Sequence, residues 1–293
     1  MALRVGFIGL GAIGRPMARH VAKKFETTVW NRTAARAEAF AKETGARAAQ
    51  TLQGVIDWAN VVITCLPTSR EVRELVEKDG LGWHKGQVLV DATSGDPFNS
   101  RELAAWLAKR GVGFVDAPVS GGTSGAEAGT LTVMMGGEKQ WMEKAREVVG
   151  AFAGKAVHVG PVGAGHALKA INNMLLAVNI QAAGEGLAAL VKLGVSATAA
   201  LEVINASSGR SNVTENLIPQ RVVTRAWPRT FRLALLDKDV GIALDILKQT
   251  GVPADVTKVV KQCLADELDI LGHQADHVEA IKEIERRAGV EIK

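Results

Sequence analysis

Tyrosine is absent from the 293 residues, and cysteine occurs only twice, at Cys65 and Cys263. In an intracellular chain two thiols so far apart are expected to stay reduced. Cys65 lies in the apolar run Val61-Val62-Ile63-Thr64-Cys65-Leu66, where a small buried side chain is expected. There is no run of five or more lysines and arginines and no aromatic-rich basic strip. A net charge of +4 with pI near 9.1 therefore does not argue for nucleic-acid binding. It suits attraction of anionic small molecules. Met1 leads straight into the strand-like run Leu3-Arg4-Val5-Gly6-Phe7-Ile8, with no basic n-region, apolar h-region or cleavage site, so a cytoplasmic location is expected. The stretch from about Ala170 to Val191 has few charges. It contains Asn172, Asn173, Asn179, Gln181 and Glu185, and reads as too polar for a membrane span.

What is present supports two domains. A hydrophobic content of 47% allows a sizeable core. Short aliphatic runs recur at Arg4–Gly9, Thr27–Trp30, Val61–Leu66, Val88–Ala92, Gly113–Ala117, Thr132–Met135 and Ala156–Val159. Most are bounded by Gly, Pro or Asp, as strands are. Amphipathic helix candidates alternate with them, and this alternation predicts an α/β fold with a doubly wound, Rossmann-type parallel sheet. After Pro161 the strand signals stop and only helical ones continue. Residues 1–162 are therefore expected to form the dinucleotide-type sheet domain and residues 163–293 an all-helical domain. Gly165 to Leu193 has no proline and can run as one helix. Ligands of such sheets sit at the carboxyl ends of the strands, which places the expected site in an inter-domain cleft.

The segment Gly9-Leu10-Gly11-Ala12-Ile13-Gly14 follows the first strand and opens the first helix. Its glycines permit a tight turn and close approach of a pyrophosphate to the helix N-terminus. The second strand ends Trp30-Asn31-Arg32-Thr33. An NAD site has an acid there for the ribose 2′-hydroxyl, whereas a guanidinium suits a 2′-phosphate. Asn31 with Arg32 thus predicts a preference for NADP, with NAD as the second cofactor. Leu66-Pro67-Thr68 and Asp91-Ala92-Thr93-Ser94 follow the next strands, where they would face the nicotinamide half. Ser120-Gly121-Gly122 puts consecutive backbone N–H groups beside a hydroxyl, an arrangement suited to a substrate carboxylate; a flexible turn is the plain alternative. In Gly160-Pro161-Val162-Gly163-Ala164-Gly165-His166-Ala167-Leu168-Lys169-Ala170-Ile171-Asn172-Asn173 a lysine enters an otherwise apolar helix. Asn173 shares its face at i+4. Either Lys169 snorkels to solvent, or it is a proton-transfer group whose pKa burial has lowered. Lys238, in Leu236-Asp237-Lys238-Asp239-Val240, either reaches an anionic ligand or is a surface charge. His273 and His277 have helical spacing, but no third ligand accompanies them and no metal is expected. His166 reads as a polar residue near a helix N-terminus.

Taken together these segments resemble the β-hydroxyacid dehydrogenase family, which includes 3-hydroxyisobutyrate dehydrogenases, tartronate semialdehyde reductase and glyoxylate/succinic semialdehyde reductases. The family's segments occur here in order: Gly9–Gly14, Asp116–Gly122, Gly160–Asn173 and Lys238-Asp239. Asn205–Ser211, reading Asn-Ala-Ser-Ser-Gly-Arg-Ser, is shared with bacterial 3-hydroxyisobutyrate dehydrogenases. The resemblance implies that Lys169 is the catalytic acid/base and that Asn173 helps hold substrate and lysine. It implies that Ser120, Gly121 and Gly122 bind the substrate carboxylate, and that Ser94 and Lys238 touch cofactor or substrate. It further implies a homodimer or homotetramer formed through the helical domain. Glu71 departs from the asparagine common in relatives and puts one cofactor contact in question. An imine reductase or a non-catalytic cofactor-binding scaffold shares the architecture, but each typically lacks the lysine.

Overall fold

The computed structural model describes residues 3–78 and 80–293. Two compact units emerge, Met1–Lys169 and Ala170–Lys293. The first contains β1 (Arg4–Ile8), α1 (Gly14–Ala22), β2 (Glu26–Trp30), α2 (Ala34–Thr44), β3 (Arg47–Ala48), α3 (Leu52–Trp58), β4 (Val61–Thr64) and α4 (Ser69–Val76). It continues with β5 (Val88–Asp91), α5 (Pro97–Ala108), β6 (Gly113–Asp116), β7 (Val119–Ser120), α6 (Gly122–Ala128), β8 (Leu131–Gly137), α7 (Lys139–Val149) and β9 (Ala153–Gly160). The sheet order is β3-β2-β1-β4-β5-β6-β8-β7, with β9 also paired to β8.

Strand side chains alternate between two cores, as buried parallel strands require. Val5, Phe7, Val61, Ile63, Val88 and Val90 face α1, α2 and α7 through one cluster. Ile8, Val62, Leu89 and Phe114 face α3, α4 and α5 through the other. The six strands β3 to β6 are mutually parallel, so their carboxyl ends share one edge. The all-parallel expectation fails beyond β6, because β8 runs antiparallel to β6 and β7. A parallel return needs a crossover of a dozen or more residues, usually over a full helix. Here β7 prolongs the path of β6, and the seven-residue α6 turns the chain back.

The second unit is built on α8 (Ala164–Lys192), whose 29 residues begin in the first unit. It adds α9 (Ala197–Asn205), α10 (Leu233–Thr250), α11 (Asp255–Leu271) and α12 (Ala280–Ala288). Asn173, Ala177, Ile180, Gly184 and Leu187 recur at alternating steps of four and three along the buried side of α8, a seam suited to helix packing. An 18-residue window of α8 has mean hydropathy 1.5, with 33% of it buried. Composition therefore does not exclude a membrane span, contrary to expectation. Two of its polar residues are buried and paired: Asn173 donates to Asp239, and Gln181 to Glu267. Val213–Val223 is wound as a π-helix that contains Pro219, a residue that interrupts the bonding of a regular α-helix. Asp276, at the start of a 3-10 turn, accepts from the Thr230, Phe231 and Val278 amides, and His277 Nδ1 lies 3.0 Å from it.

Glu267 provides a test of the second unit's core. Its carboxyl is 3% exposed. Burial, aided by Glu283 and Asp266, pushes its pKa up to about 7 against the Gln181 hydrogen bond and the Arg287 charge. The fold thus binds a proton that the unfolded chain releases between pH 4.5 and 7. Stability falls as pH rises through that window, by on the order of 3 kcal/mol if Glu267 acts alone. Glu267→Gln should flatten the dependence, giving a higher Tm than wild type at pH 8 and little change at pH 5. Equal pH slopes in thermal melts of the two proteins would count against it.

Candidate active site

The turn after β1 shows three glycines with three different demands. Gly9 has φ +102°, and a Cβ there would lie 2.3 Å from the Cys65 carbonyl oxygen. At Gly14 a Cβ would lie 2.1 Å from the Gly9 carbonyl oxygen, so this glycine lets α1 start flat against the turn. A Cβ on Gly11 would meet no atom of the described residues within 4 Å, its chain neighbours aside. Gly11 is therefore required by neither backbone conformation nor protein packing, and its open space is a cradle that a side chain would fill. Tight turn, close approach and helix packing are the three roles that a pyrophosphate-binding turn assigns to its glycines. Leu10, Ala12 and Ile13 complete the turn, with Ile13 immediately before α1. These residues fit a dinucleotide.

At the end of β2, Asn31 Oδ1 accepts from the Leu10 amide at 3.0 Å while its Nδ2 donates to the Thr33 carbonyl. Asn31 thereby props the glycine turn from below. Arg32 and Thr33 are exposed beside it. At the ends of β4 and β5, the Leu66 amide donates to Thr93 Oγ1 at 3.1 Å. That bond joins the Leu66-Pro67 corner to the loop carrying half-buried Ser94. Glu71, the departure from the family pattern, accepts from the Thr68 hydroxyl in the first turn of α4, where a carboxylate also complements the helix dipole. The fingerprint, Asn31–Thr33, Leu66-Pro67 and Ser94 all follow carboxyl ends of parallel strands. Ser120 closes β7, followed by Gly121 (φ +131°) and Gly122 (φ +63°). Among the described residues nothing beyond its chain neighbours lies within 4 Å of a Cβ placed on Gly122.

The entry to α8 is set by Asp116 at the end of β6. Its Oδ1 accepts from the Gly163 amide at 2.8 Å and its Oδ2 from the His166 amide at 2.9 Å. Burial raises the Asp116 pKa, opposed by the His166 charge and these amides. A Cβ on Gly165 would lie 2.3 Å from the Met134 carbonyl oxygen, so glycine allows the helix to begin in contact with β8. Lys169 follows one turn later and is half-buried.

Within the second unit, Asn173 is 2% exposed and its Nδ2 donates to Asp239 Oδ2 at 2.6 Å. Asp239, itself 2% exposed, holds Lys238 Nζ at 2.7 Å through its other oxygen. A buried carboxylate thus ties the amide on α8 to the lysine on α10. Asp239 was visible in the sequence only as the second half of the Lys238-Asp239 pair; its bridging role required the fold.

The fold and the glycine turn define a nucleotide-dependent oxidoreductase architecture, and comparison with known proteins narrows it. Residues 4–160 match the NAD binding domain of 6-phosphogluconate dehydrogenase. Residues 163–284 match the model described as NAD-binding of NADP-dependent 3-hydroxyisobutyrate dehydrogenase. The 2-(hydroxymethyl)glutarate dehydrogenase of Eubacterium barkeri is 34% identical over 99% of this chain and 98% of its own. The NAD-dependent L-serine dehydrogenase of Pseudomonas aeruginosa is 35% identical over 82% of this chain and 84% of its own. The solved Mycobacterium tuberculosis 3-hydroxyisobutyrate dehydrogenase with L-serine superposes with TM-score 0.90 at 29% identity, covering 97% of this chain and 99% of that one. The chain belongs to the 3-hydroxyisobutyrate dehydrogenase family and is an NAD(P)-dependent hydroxyacid dehydrogenase.

Proposed function

We propose that this enzyme prefers NADP and interconverts 3-hydroxyisobutyrate and methylmalonate semialdehyde. The observation that carries the reading is the placement of Lys169 and Asn173 on successive turns of α8, with the Asn173 amide anchored by buried Asp239. The turn Gly9–Gly14 would hold the pyrophosphate, and Arg32 the 2′-phosphate. When bound, the nicotinamide supplies the hydride acceptor or donor. Ser120, Gly121 and Gly122 hold the substrate carboxylate through a hydroxyl and backbone N–H groups. In oxidation Lys169 Nζ takes the hydroxyl proton; in reduction it returns a proton to the developing alkoxide. Asn173 positions substrate and lysine, and Lys238 contributes positive charge toward the bound anions. A carboxylate is common to the candidate hydroxy acids, which leaves the choice among them to the shape around the reacting carbon.

A panel of kcat/KM values tests both halves of the proposal. Methylmalonate semialdehyde should exceed glyoxylate and succinic semialdehyde, and NADPH should exceed NADH. Arg32→Ala should lower the NADPH-to-NADH ratio roughly ten- to a hundred-fold, the size of a lost charge-assisted hydrogen bond. A wild-type preference for NADH sinks the cofactor assignment. A higher value for L-serine oxidation, or for another semialdehyde, sinks the substrate assignment.

We further propose a cytoplasmic homodimer or homotetramer. Leu168, Leu175, Ala182 and Ala189 repeat every seven residues on the exposed side of α8, and Leu175 is 52% exposed. An apolar stripe of this kind suits a helix of a second copy. Light scattering that returned a monomer would dismiss it.

A further inference from the structure

The first turn of α8 has almost nothing with which to hold itself. Gly163, Ala164, Gly165 and Ala167 offer no side chain that could hook a neighbour. Asp116 grips two backbone amides, which fixes where the helix begins. Among the side chains of this turn, His166 is the one that can reach a neighbouring element and restrain rotation about the helix axis.

That imidazole is fully buried. Its Nδ1 lies 2.6 Å from Ser100 Oγ on α5, and either placement of the shared hydrogen joins the ring to Ser100. Its Nε2 faces Asp91 Oδ2, at the end of β5, at 3.9 Å, and has no hydrogen-bond partner among the described residues. The other Asp91 oxygen accepts from Thr64 Oγ1 and the Thr93 amide, which fixes that carboxylate. Gly95 lies close against the ring: a Cβ there would come within 2.8 Å of His166 Cε1. Ser100 is 2% exposed, so Ser100, His166 and Asp91 cannot serve as a nucleophilic triad. The acidic groups at His166 are Asp91 from β5 and Asp116 from β6, and Lys169 follows three residues on in the same helix.

We propose that His166 is the positioning residue for Lys169. The ring locks the first turn of α8 to α5 and β5, and thereby sets the direction in which Lys169, three residues on, leaves the helix. Each residue step turns the helix by about 100°, so a small rotation of this turn moves the lysine tip by ångströms. A misplacement of about 1 Å can lower a rate by a factor of about a hundred. The inference rests on Lys169 being the acid/base group.

The test compares His166→Leu, which cannot reach Ser100 by a hydrogen bond, with His166→Asn, whose amide falls near Nδ1 and can. The leucine variant should lose kcat roughly ten- to a hundred-fold, with KM for substrate and cofactor within about twofold of wild type. The asparagine variant should recover most of that loss. If His166→Leu does not fold, Ser100→Ala removes the same bond from the other side and should act in the same direction. A reporter independent of turnover is the resonance of 13C-dimethylated Lys169, assigned by its absence from Lys169→Ala. It should shift in the leucine variant and return in the asparagine variant. Equal loss of kcat in both variants, or an unmoved lysine resonance in His166→Leu, overturns the proposal. If wild type turns over no hydroxy acid, the functional reading fails while the resonance still reports on the clamp.

Discussion

Lys169→Ala is expected to lower kcat by roughly 10²–10⁴, the range spanned by general acid–base catalysis. That is about 3–5.5 kcal/mol of transition-state stabilisation. NADP binding should be retained, because the dinucleotide turn lies after β1, far from Lys169 in the chain, and depends on Gly9, Gly11 and Gly14. Tm should change little, since Lys169 is only half-buried while the helix entry is capped by Asp116 and pinned through His166. A loss confined to kcat marks a group acting in the transition state, and a rise in KM alone would mark uniform binding. Stopped-flow hydride transfer together with cofactor titration separates these cases. A near-normal rate in this variant would remove the lysine from the mechanism.

Much of this site can be read in the sequence, because its residues follow strand ends. A strand announces itself by an aliphatic run, and the chemistry sits in the next few residues. In this way Gly9–Gly14, Arg32, Ser94 and Ser120 stand out as candidates without the fold, and each lies at or just after a strand end in the structure. The Lys169 helix was legible for a different reason: a long stretch without proline that can run as one helix. Asp239 and His166 could not be read so. Each acts through partners 66 residues away in sequence, Asn173 and Ser100 respectively, and no local pattern encodes such pairing. Asn31 reads in the sequence only as the residue that replaces the acid; that its amide oxygen and nitrogen both engage backbone groups required the fold. The short elements escaped for want of length. β3 and β7 have two residues each, too few to show alternation. The π-helix escaped because Pro219 reads as a helix breaker. The reversed β8 is a matter of topology, decided by how short α6 is.

Gly11→Ala and Gly14→Ala should have opposite signatures, although the two residues are three apart in one motif. At Gly11 the backbone is not left-handed and a Cβ meets no atom of the described residues beyond its chain neighbours within 4 Å. The alanine should fold as well as wild type, or slightly better through the reduced freedom of the unfolded chain. Its methyl would occupy the space through which the backbone approaches a pyrophosphate. NADP(H) affinity should therefore fall roughly ten- to a hundred-fold, the cost of one or two weakened charge-assisted hydrogen bonds. At Gly14 the methyl would sit 2.1 Å from the Gly9 carbonyl oxygen, a rigid backbone atom that cannot give way as a flexible side chain would. Relief requires α1 to back away from β1, disturbing the packing of buried Met17, Ala18 and Val21. Overpacking of this kind costs on the order of 1–3 kcal/mol or more, so Tm should drop even without cofactor. Thermal melts with and without NADPH distinguish the pair. Gly11→Ala should melt like wild type alone and gain little from the cofactor, whereas Gly14→Ala should melt early in both. If Gly11→Ala keeps wild-type affinity, the open space beside it is not where the pyrophosphate lies.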